Sequence, residues 1–400
     1  MVEPTLRGRI VSLDVLRGFA ILGILLANIG AFHYPVLATE LQMKGFEWHG
    51  VDLLIEQWTT ALVVGKFRGL LCILFGAGLW LQFQRRTEWP GGYTRRMLIL
   101  FGIGCFHGIF IWFGDILATY ALTALLTFWV AKLPTVTLWK IVLGLFLFSL
   151  TCGLGLMAMG SLGHADPASL GPLKDIVAGE GAAYADGNYG IQLLYRGSLF
   201  LLTLLGVILL VPGFGMLFIV GVILAREDFF RNPDGNPALR NRLLAVGLGL
   251  GLPLNLVALA CKDATTLVAF QNLVEIAAGG LLSVGYLITG CILVSRIRGV
   301  WWTPLANVGR MALTCYLLQS LICTTIFYSY GLGLYGTMSR PQLLQVVVGV
   351  WIFNLVFSAV WLRFFTIGPV ECLWRSWSEG IPFDLRQRGR LDVEAPPRLA

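Results

Sequence analysis

Apolar runs of about twenty residues recur from residue 10 to residue 366, separated only by short charged clusters. Coiled as a helix at about 1.5 Å per residue, a run of that length crosses the roughly 30 Å hydrocarbon core of a bilayer. Few folds are open to such a chain. Backbone N–H and C=O groups in hydrocarbon must bond to one another, and a helix achieves this within a single segment. Ten runs stand at approximately 10–31, 58–84, 96–113, 115–132, 138–160, 196–225, 242–261, 269–295, 304–328 and 342–366. The expected fold class is therefore all-α, a polytopic integral membrane protein with about ten transmembrane helices. Charged residues make up 13% of the chain, about half the roughly 25% of a soluble domain, which excludes a soluble enzyme. The first run is not a cleavable signal, because Asp14 and Arg17 interrupt its apolar stretch.

Lysine and arginine fall in every second loop: Arg85, Arg86, Arg95 and Arg96; Lys132 and Lys140; Arg226, Arg231, Arg240 and Arg242; Arg296 and Arg298. By the positive-inside rule this places both termini in the cytoplasm, in agreement with an even span count. Residues 161–195, acidic and rich in Gly and Ala, form a flexible outward-facing loop on this reading. The rest of 1–378 is a single membrane domain, and the Pro- and Arg-rich 379–400 is expected to be a disordered cytoplasmic tail. A net charge of +7 reflects retained basic loops, not a nucleic-acid partner, since no basic stripe with interleaved aromatics accompanies it. The eight cysteines lie mostly within apolar runs, form no C-x-x-C pair and read as core packers.

An ionisable group in hydrocarbon costs about 2.5–3.5 kcal/mol on insertion scales, so each one present needs a partner or a wet cavity. Asp14 and Arg17, at i and i+3, share a helix face. They suit either an intrahelical pair or a phosphate- or carboxylate-binding guanidinium whose rotamer Asp14 holds. His107, in Gly104-Cys105-Phe106-His107-Gly108, falls near the bilayer midplane. Neutral imidazole can be buried there and still take a proton near neutral pH, although a hydrogen-bonded core histidine or a haem ligand is the plainer reading. Gly104 and Gly108 clear room beside it for a ligand or a neighbouring helix. Asp115 reads as an N-cap for the next helix or as a carboxylate orienting His107; along a straight helix, eight residues put it about 12 Å away. Lys66 and Arg68 are candidate anion contacts, and Glu275, Arg310 and Gln319 are polar groups facing a presumed interior. No Walker A, H-E-x-x-H or G-x-S-x-G pattern occurs, so ATP hydrolysis and zinc proteolysis are not expected.

The run Leu13-Asp14-Val15-Leu16-Arg17-Gly18 resembles the opening of the YeiB family of bacterial polytopic membrane proteins. So do Lys66-Phe67-Arg68-Gly69, His107-Gly108 with Gly114-Asp115, Gly309-Arg310 through Gln319-Ser320, and Gly368-Pro369-Val370-Glu371. These motifs cover nearly the whole chain in order. The family is in turn similar to the transmembrane acyltransferases that include heparan-alpha-glucosaminide N-acetyltransferase. The resemblance implies a bacterial cytoplasmic membrane and an acyl group carried from cytoplasmic acyl-CoA to a hydroxyl or amine acceptor beyond it. It also implies a site near an intramembrane histidine and the L-D-x-x-R-G element, matched here by Asp14 and Arg17. The expected arrangement has Arg17 anchoring acyl-CoA as co-substrate, His107 as general base or acyl acceptor with Asp115 and Asp14 in support, and no metal. Lys66, Arg68, Glu275, Arg310 and Gln319 complete the candidate binding set. Membrane lipids, a small-molecule or glycan acceptor and a second copy of the chain are the expected partners. A transporter or flippase for an anionic or lipid-linked solute, and a quinone or haem protein, are the alternatives. The enzyme reading requires a cavity joining Arg17 and His107.

Overall fold

The computed structural model describes residues 9–35, 38, 48–85, 91–162, 171–260, 268–297 and 299–385. Its elements, in order, are α1 (Val11–His33), α2 (Gly50–Leu62), α3 (Lys66–Arg85), α4 (Gly91–Phe110), α5 (Leu117–Thr127), α6 (Thr135–Leu162), α7 (Gly171–Ala185) and α8 (Tyr189–Arg226). There follow α9 (Pro237–Leu244), α10 (Gly251–Ala260), α11 (Val268–Arg296), α12 (Thr303–Arg310), α13 (Ala312–Phe327), α14 (Arg340–Phe364) and α15 (Pro369–Glu379). The protein is an all-helical, multi-pass membrane protein. Among the described residues, six helical stretches are long and apolar enough to cross a bilayer, and eight if each of two bent pairs counts as one span. Of the ten sequence-expected runs, 115–132 is realised as the shorter apolar helix Leu117–Lys132, and α4, over 96–113, is not among these six to eight.

Local chemistry sets the helix ends. Asn188 and Asn236 accept from the backbone N–H groups of Ile191 and Leu239 at 3.0 and 3.1 Å, capping α8 and α9. Ser339 and Gln342 form a reciprocal capping box at the start of α14. Pro212 lies inside α8, where it removes one backbone donor, and the two halves of that helix, Tyr189–Gly206 and Val211–Arg226, meet at 69°.

α1 runs through the middle of the bundle, packed by α3, α12, α13 and α14. Gln319 of α13 donates to the Ile21 carbonyl at 3.2 Å, and Trp351 of α14 to that of Leu22 at 2.9 Å. α1 crosses α12 closely. A Cβ on Gly309 would overlap the Asp14 carbonyl, and one on Gly18 would overlap that of Leu305. Gly18 and Gly309 thus meet in a glycine-on-glycine contact between the two helices. The outward faces of the bundle are apolar: Val348, Ile352, Val356 and Val360 form an exposed stripe at four-residue intervals along α14, and Leu143, Leu147 and Phe148 lie bare on α6. In water such a surface would drive association, whereas against lipid it costs nothing.

Segment 161–195, read from sequence as a flexible outward-facing loop, contains α7. Its anchors are Val177, Glu180, Ala183 and Tyr184, all buried, so the Gly- and Ala-rich composition serves close packing. The remainder of that loop, residues 163–170, and the tail 386–400 lie outside the described residues. Glu180 is 1% exposed, and neither carboxylate oxygen has a hydrogen-bond partner among the described residues. Burial raises its pKa to about 7. A carboxyl raised in the folded state binds its proton more tightly folded than unfolded, so its contribution is whole in acid and declines as pH climbs from the ordinary carboxylate range to about 7. Corrected for the intrinsic base-catalysed rate, hydrogen exchange across α7 is accordingly expected to lose protection between pH 5 and pH 7.5. Glu180→Gln should abolish that dependence, and the same dependence in the variant would assign it elsewhere.

Candidate functional site

α4 ends at Phe110, and residues 111–116 fold back before α5 begins. That return brings together two residues eight apart. His107 Nδ1 lies 2.8 Å from Asp115 Oδ2, with both side chains fully buried. Asp115 Oδ1 accepts from the backbone N–H of Ala118 at 2.7 Å. Asp115 therefore performs both roles read from sequence, orienting the histidine with one oxygen and capping α5 with the other. The straight-helix separation does not apply, because the chain turns. Gly104 is part of the reason, since a Cβ there would overlap Asp115 and the backbone of Ala118. Gly108 admits the ring of Phe200, so both glycines make room for neighbouring elements and not for a ligand.

A carboxylate at Nδ1 fixes that nitrogen as the N–H and leaves Nε2 as the free base. Nε2 is buried and has no hydrogen-bond partner among the described residues. The turn that carries Asp115 is clamped from two sides. Arg196 of α8, fully buried, donates to the carbonyl of Ile109 at 3.0 Å, in the last turn of α4, and to that of Ile111 at 2.8 Å, just past its end. Tyr316 of α13 accepts from the Ile116 N–H at 3.3 Å, and its ring lies 5.2 Å from that of His107.

A cavity of about 240 Å³ occupies the end of the bundle that carries the start of α1. Its mouth holds Arg17, Arg96 and Arg310, and apolar side chains of α3 and α4, Leu71, Leu74, Met97 and Leu100, line its body. Ile116, Tyr120 and Tyr316 lie among the residues that line it. The acids nearby are already engaged. Asp14 pairs with Arg9 at 2.5 Å and with Arg17 at 3.7 Å. Glu371 accepts from the N–H groups of Leu313 and Thr314 at 2.7 and 3.0 Å, capping α13 where it turns 74° from α12. Burial pushes the Glu371 carboxyl above the usual range, against those hydrogen bonds, which pull it down. Arg96 stacks on Trp374 at 4.0 Å and pairs with Glu379 at 3.7 Å. The mouth keeps an excess of positive charge, which suits a polyanion.

A second, smaller cavity of about 70 Å³ is lined by Arg68, Asp115, Ile116, Tyr120, Thr203 and Phe214, among others. Along α3, Arg68 lines this cavity and the first runs from Leu71 to Gln82. Ile116 and Tyr120 line both cavities. His107 lines neither. A single cavity joining Arg17 to His107 is therefore not what the structure contains. Asp115 lines the second cavity, and His107 stands within the wall, one side chain removed from the first cavity behind Tyr316 and from the second behind Asp115.

Of the other sequence candidates, Arg310 lines the first cavity and Arg68 the second. Asp14 stands behind Arg17. Lys66 is apart from both cavities, buried with Nζ donating to the Thr60 carbonyl at 2.8 Å. Gln319 is also apart, spent on the α1 backbone. The Glu275 side chain lies outside the described residues. Sequence reasoning passes over Arg196 and Tyr316. An arginine opening an apolar run is a signal for the first, by the same insertion cost that singled out Arg17; a tyrosine among many carries none.

Residues 224–381 match the model of a family described as a protein of unknown function (DUF418). That stretch includes Arg310, Tyr316 and Glu371 and stops short of the dyad. Along nearly its whole length the chain is similar to the uncharacterized protein YeiB of Escherichia coli (strain K12), at 34% identity covering 92% of this chain and 95% of that one. It is similar also to the uncharacterized protein YxaH of Bacillus subtilis (strain 168), at 34% identity covering 94% and 96%. A 39.9 kDa uncharacterized protein encoded in the amylase 3' region of Bacillus acidopullulyticus is 28% identical, covering 96% and 98%.

Proposed function

The chain belongs to the DUF418 family, and we propose that it transfers an acyl group from acyl-CoA, entering at the arginine-lined mouth, to a hydroxyl or amine acceptor arriving on the far side of the wall. The observation that carries this is the path itself: a polycationic mouth, an apolar body, and a buried His–Asp pair one side chain beyond its end. About 240 Å³ is below the roughly 300–1,000 Å³ that encloses a drug-sized ligand. The cavity thus takes the acyl-pantetheine arm and leaves the phosphates among Arg17, Arg96 and Arg310. With the arm in place the thioester lies against Tyr316 and Ile116. The continuous path from Arg17 to His107 that this reading requires is closed in the structure, with Tyr316 between the cavity and the imidazole. The reading therefore depends on displacement of the Tyr316 ring, and a ring that cannot move aside would end it. Nε2 then takes the proton of the acceptor, whose oxygen or nitrogen bonds to the acyl carbon as the C–S bond breaks. The thiolate leaves and collects a proton. On this reading the mouth faces the cytoplasm and the protein resides in the bacterial cytoplasmic membrane.

Release of CoA thiol by the purified protein tests the proposal. Removing a charge-assisted hydrogen bond costs about 1.5–3 kcal/mol, so Arg17→Gln and Arg310→Gln are each expected to raise KM for acyl-CoA about tenfold or more. Unchanged KM in both would remove the donor site.

A second reading has its own support. Two bent spans, at 69° and 74°, with cavities on either side of a thin wall, are also the ingredients of an alternating-access carrier. Uptake of an anionic solute by proteoliposomes in the absence of acyl-CoA would favour it.

A further inference from the structure

We propose that the second cavity takes its acceptor sideways from the bilayer, and that this acceptor is an anionic phospholipid bearing a headgroup hydroxyl, with its phosphate on Arg68 and its hydroxyl directed at Asp115. The inference rests on the acyltransferase reading and names the acceptor class.

Exposure locates the opening of this cavity. Asp115 and Tyr120 are buried, whereas Arg68 and Thr203 are exposed, so the cavity opens between the start of α3 and the first half of α8. The surface around that opening is apolar. Leu201, Leu202 and Leu205, on either side of Thr203, are 58, 61 and 68% exposed. Such a rim faces acyl chains; a mouth built for a soluble sugar would carry polar side chains. The break in α8 follows directly at 206–211, so the helix turns away just where the opening lies.

Arg68 supplies the charge. Its guanidinium forms no ion pair with a carboxylate among the described residues and rests 5.9 Å from the centre of the Phe214 ring. It stands two residues from the N-terminus of α3, inside the candidate span Gly50–Gln84. An unneutralised cation on a lipid-facing surface is costly, and an anionic headgroup removes that cost while gaining a forked hydrogen bond. The Tyr120 hydroxyl, 2.6 Å from the Arg68 carbonyl, ties this position to the wall. A hydroxyl a few bonds from the phosphate would enter a cavity of about 70 Å³, room for a few water-sized groups. The step balances without a further reactant. Once the side chains of the wall part and the hydroxyl passes Asp115 to the Nε2 edge of the ring, the headgroup O–H loses its proton to His107 Nε2. A C–O bond forms at the thioester carbon, the C–S bond breaks, and the thiolate is protonated.

The test reconstitutes the full chain with labelled acetyl-CoA in two kinds of vesicle. One is made of phosphatidylglycerol; the other is phosphatidylcholine, which has no headgroup hydroxyl, supplied with soluble glycerol 3-phosphate. Thiol release, label on lipid and, by native mass spectrometry, retained phosphatidylglycerol are measured. Labelled phosphatidylglycerol is expected in the first vesicles and no product in the second. Arg68→Gln should lower both label and retention at least tenfold, and Arg68→Lys, which keeps the charge, should retain more of each. Equal label on glycerol 3-phosphate in the second vesicles overturns the lipid acceptor. Thiol release in the first without labelled lipid overturns it too, and leaves the acyltransferase reading standing. No thiol release in either overturns that reading and the acceptor role with it.

Discussion

Acyl transfer by a His107→Gln variant is expected to fall about 10²–10⁴-fold, the usual contribution of a positioned general base. The glutamine fills a similar volume, so a monodisperse, normally melting variant would separate lost chemistry from lost fold. Asp115 allows a finer experiment, because its two oxygens do different things. In Asp115→Asn the carbonyl oxygen can still accept from the Ala118 N–H, while the amide nitrogen donates where the carboxylate accepted. His107 then carries its proton on Nε2 and cannot act as a base there. Turnover should fall as steeply as in His107→Gln, with melting unchanged. Asp115→Ala loses the cap as well and should cost a further 0.5–2 kcal/mol or so of stability. Full activity in His107→Gln would overturn the mechanism.

The second large effect concerns the fold. Gly309→Ala places a methyl group on the Asp14 carbonyl, a backbone atom that cannot swing away. Overpacking of this kind typically costs about 1–3 kcal/mol, and the rigidity of two crossing helices puts this site at the upper end. Thermal denaturation in detergent should show a drop of several degrees. Because α1 and α12 carry Arg17 and Arg310 into the same cavity mouth, KM for acyl-CoA should rise with it. Gly102→Ala is the control. Nothing lies within 4 Å of its would-be Cβ, so the change should be neutral or slightly stabilising. A Gly309→Ala protein that melts like the parent would show that the two helices can part.

These two sites also mark what the chain discloses before it is folded. Apolar runs announce helices because a bilayer imposes one length and one bonding pattern, and each of the ten runs contains helix. Asp14, Arg17 and His107 stand out because burying them is costly. Pairing is harder to read. His107 and Asp115 meet only because the chain reverses at 111–116, and that reversal is held by Arg196 and Tyr316, which arrive from helices about ninety and two hundred residues further along. The glycine contact between α1 and α12 joins positions nearly three hundred residues apart, so neighbouring sequence says nothing of it. Lys66 and Gln319 satisfy the cost argument by reaching backbone carbonyls, which composition cannot distinguish from reaching a substrate.

The wall formed by Ile116 and Tyr120 has an electrical consequence. If the first hollow is wetted from one side of the membrane and the second, around a bound headgroup, from the other, much of the membrane voltage falls across the side chains between them, in place of the full bilayer thickness. One elementary charge moved through 100 mV is worth about 2.3 kcal/mol. A proton taken up by the imidazole embedded there travels through a large part of that field, so turnover in energised vesicles should change with the sign of the imposed potential.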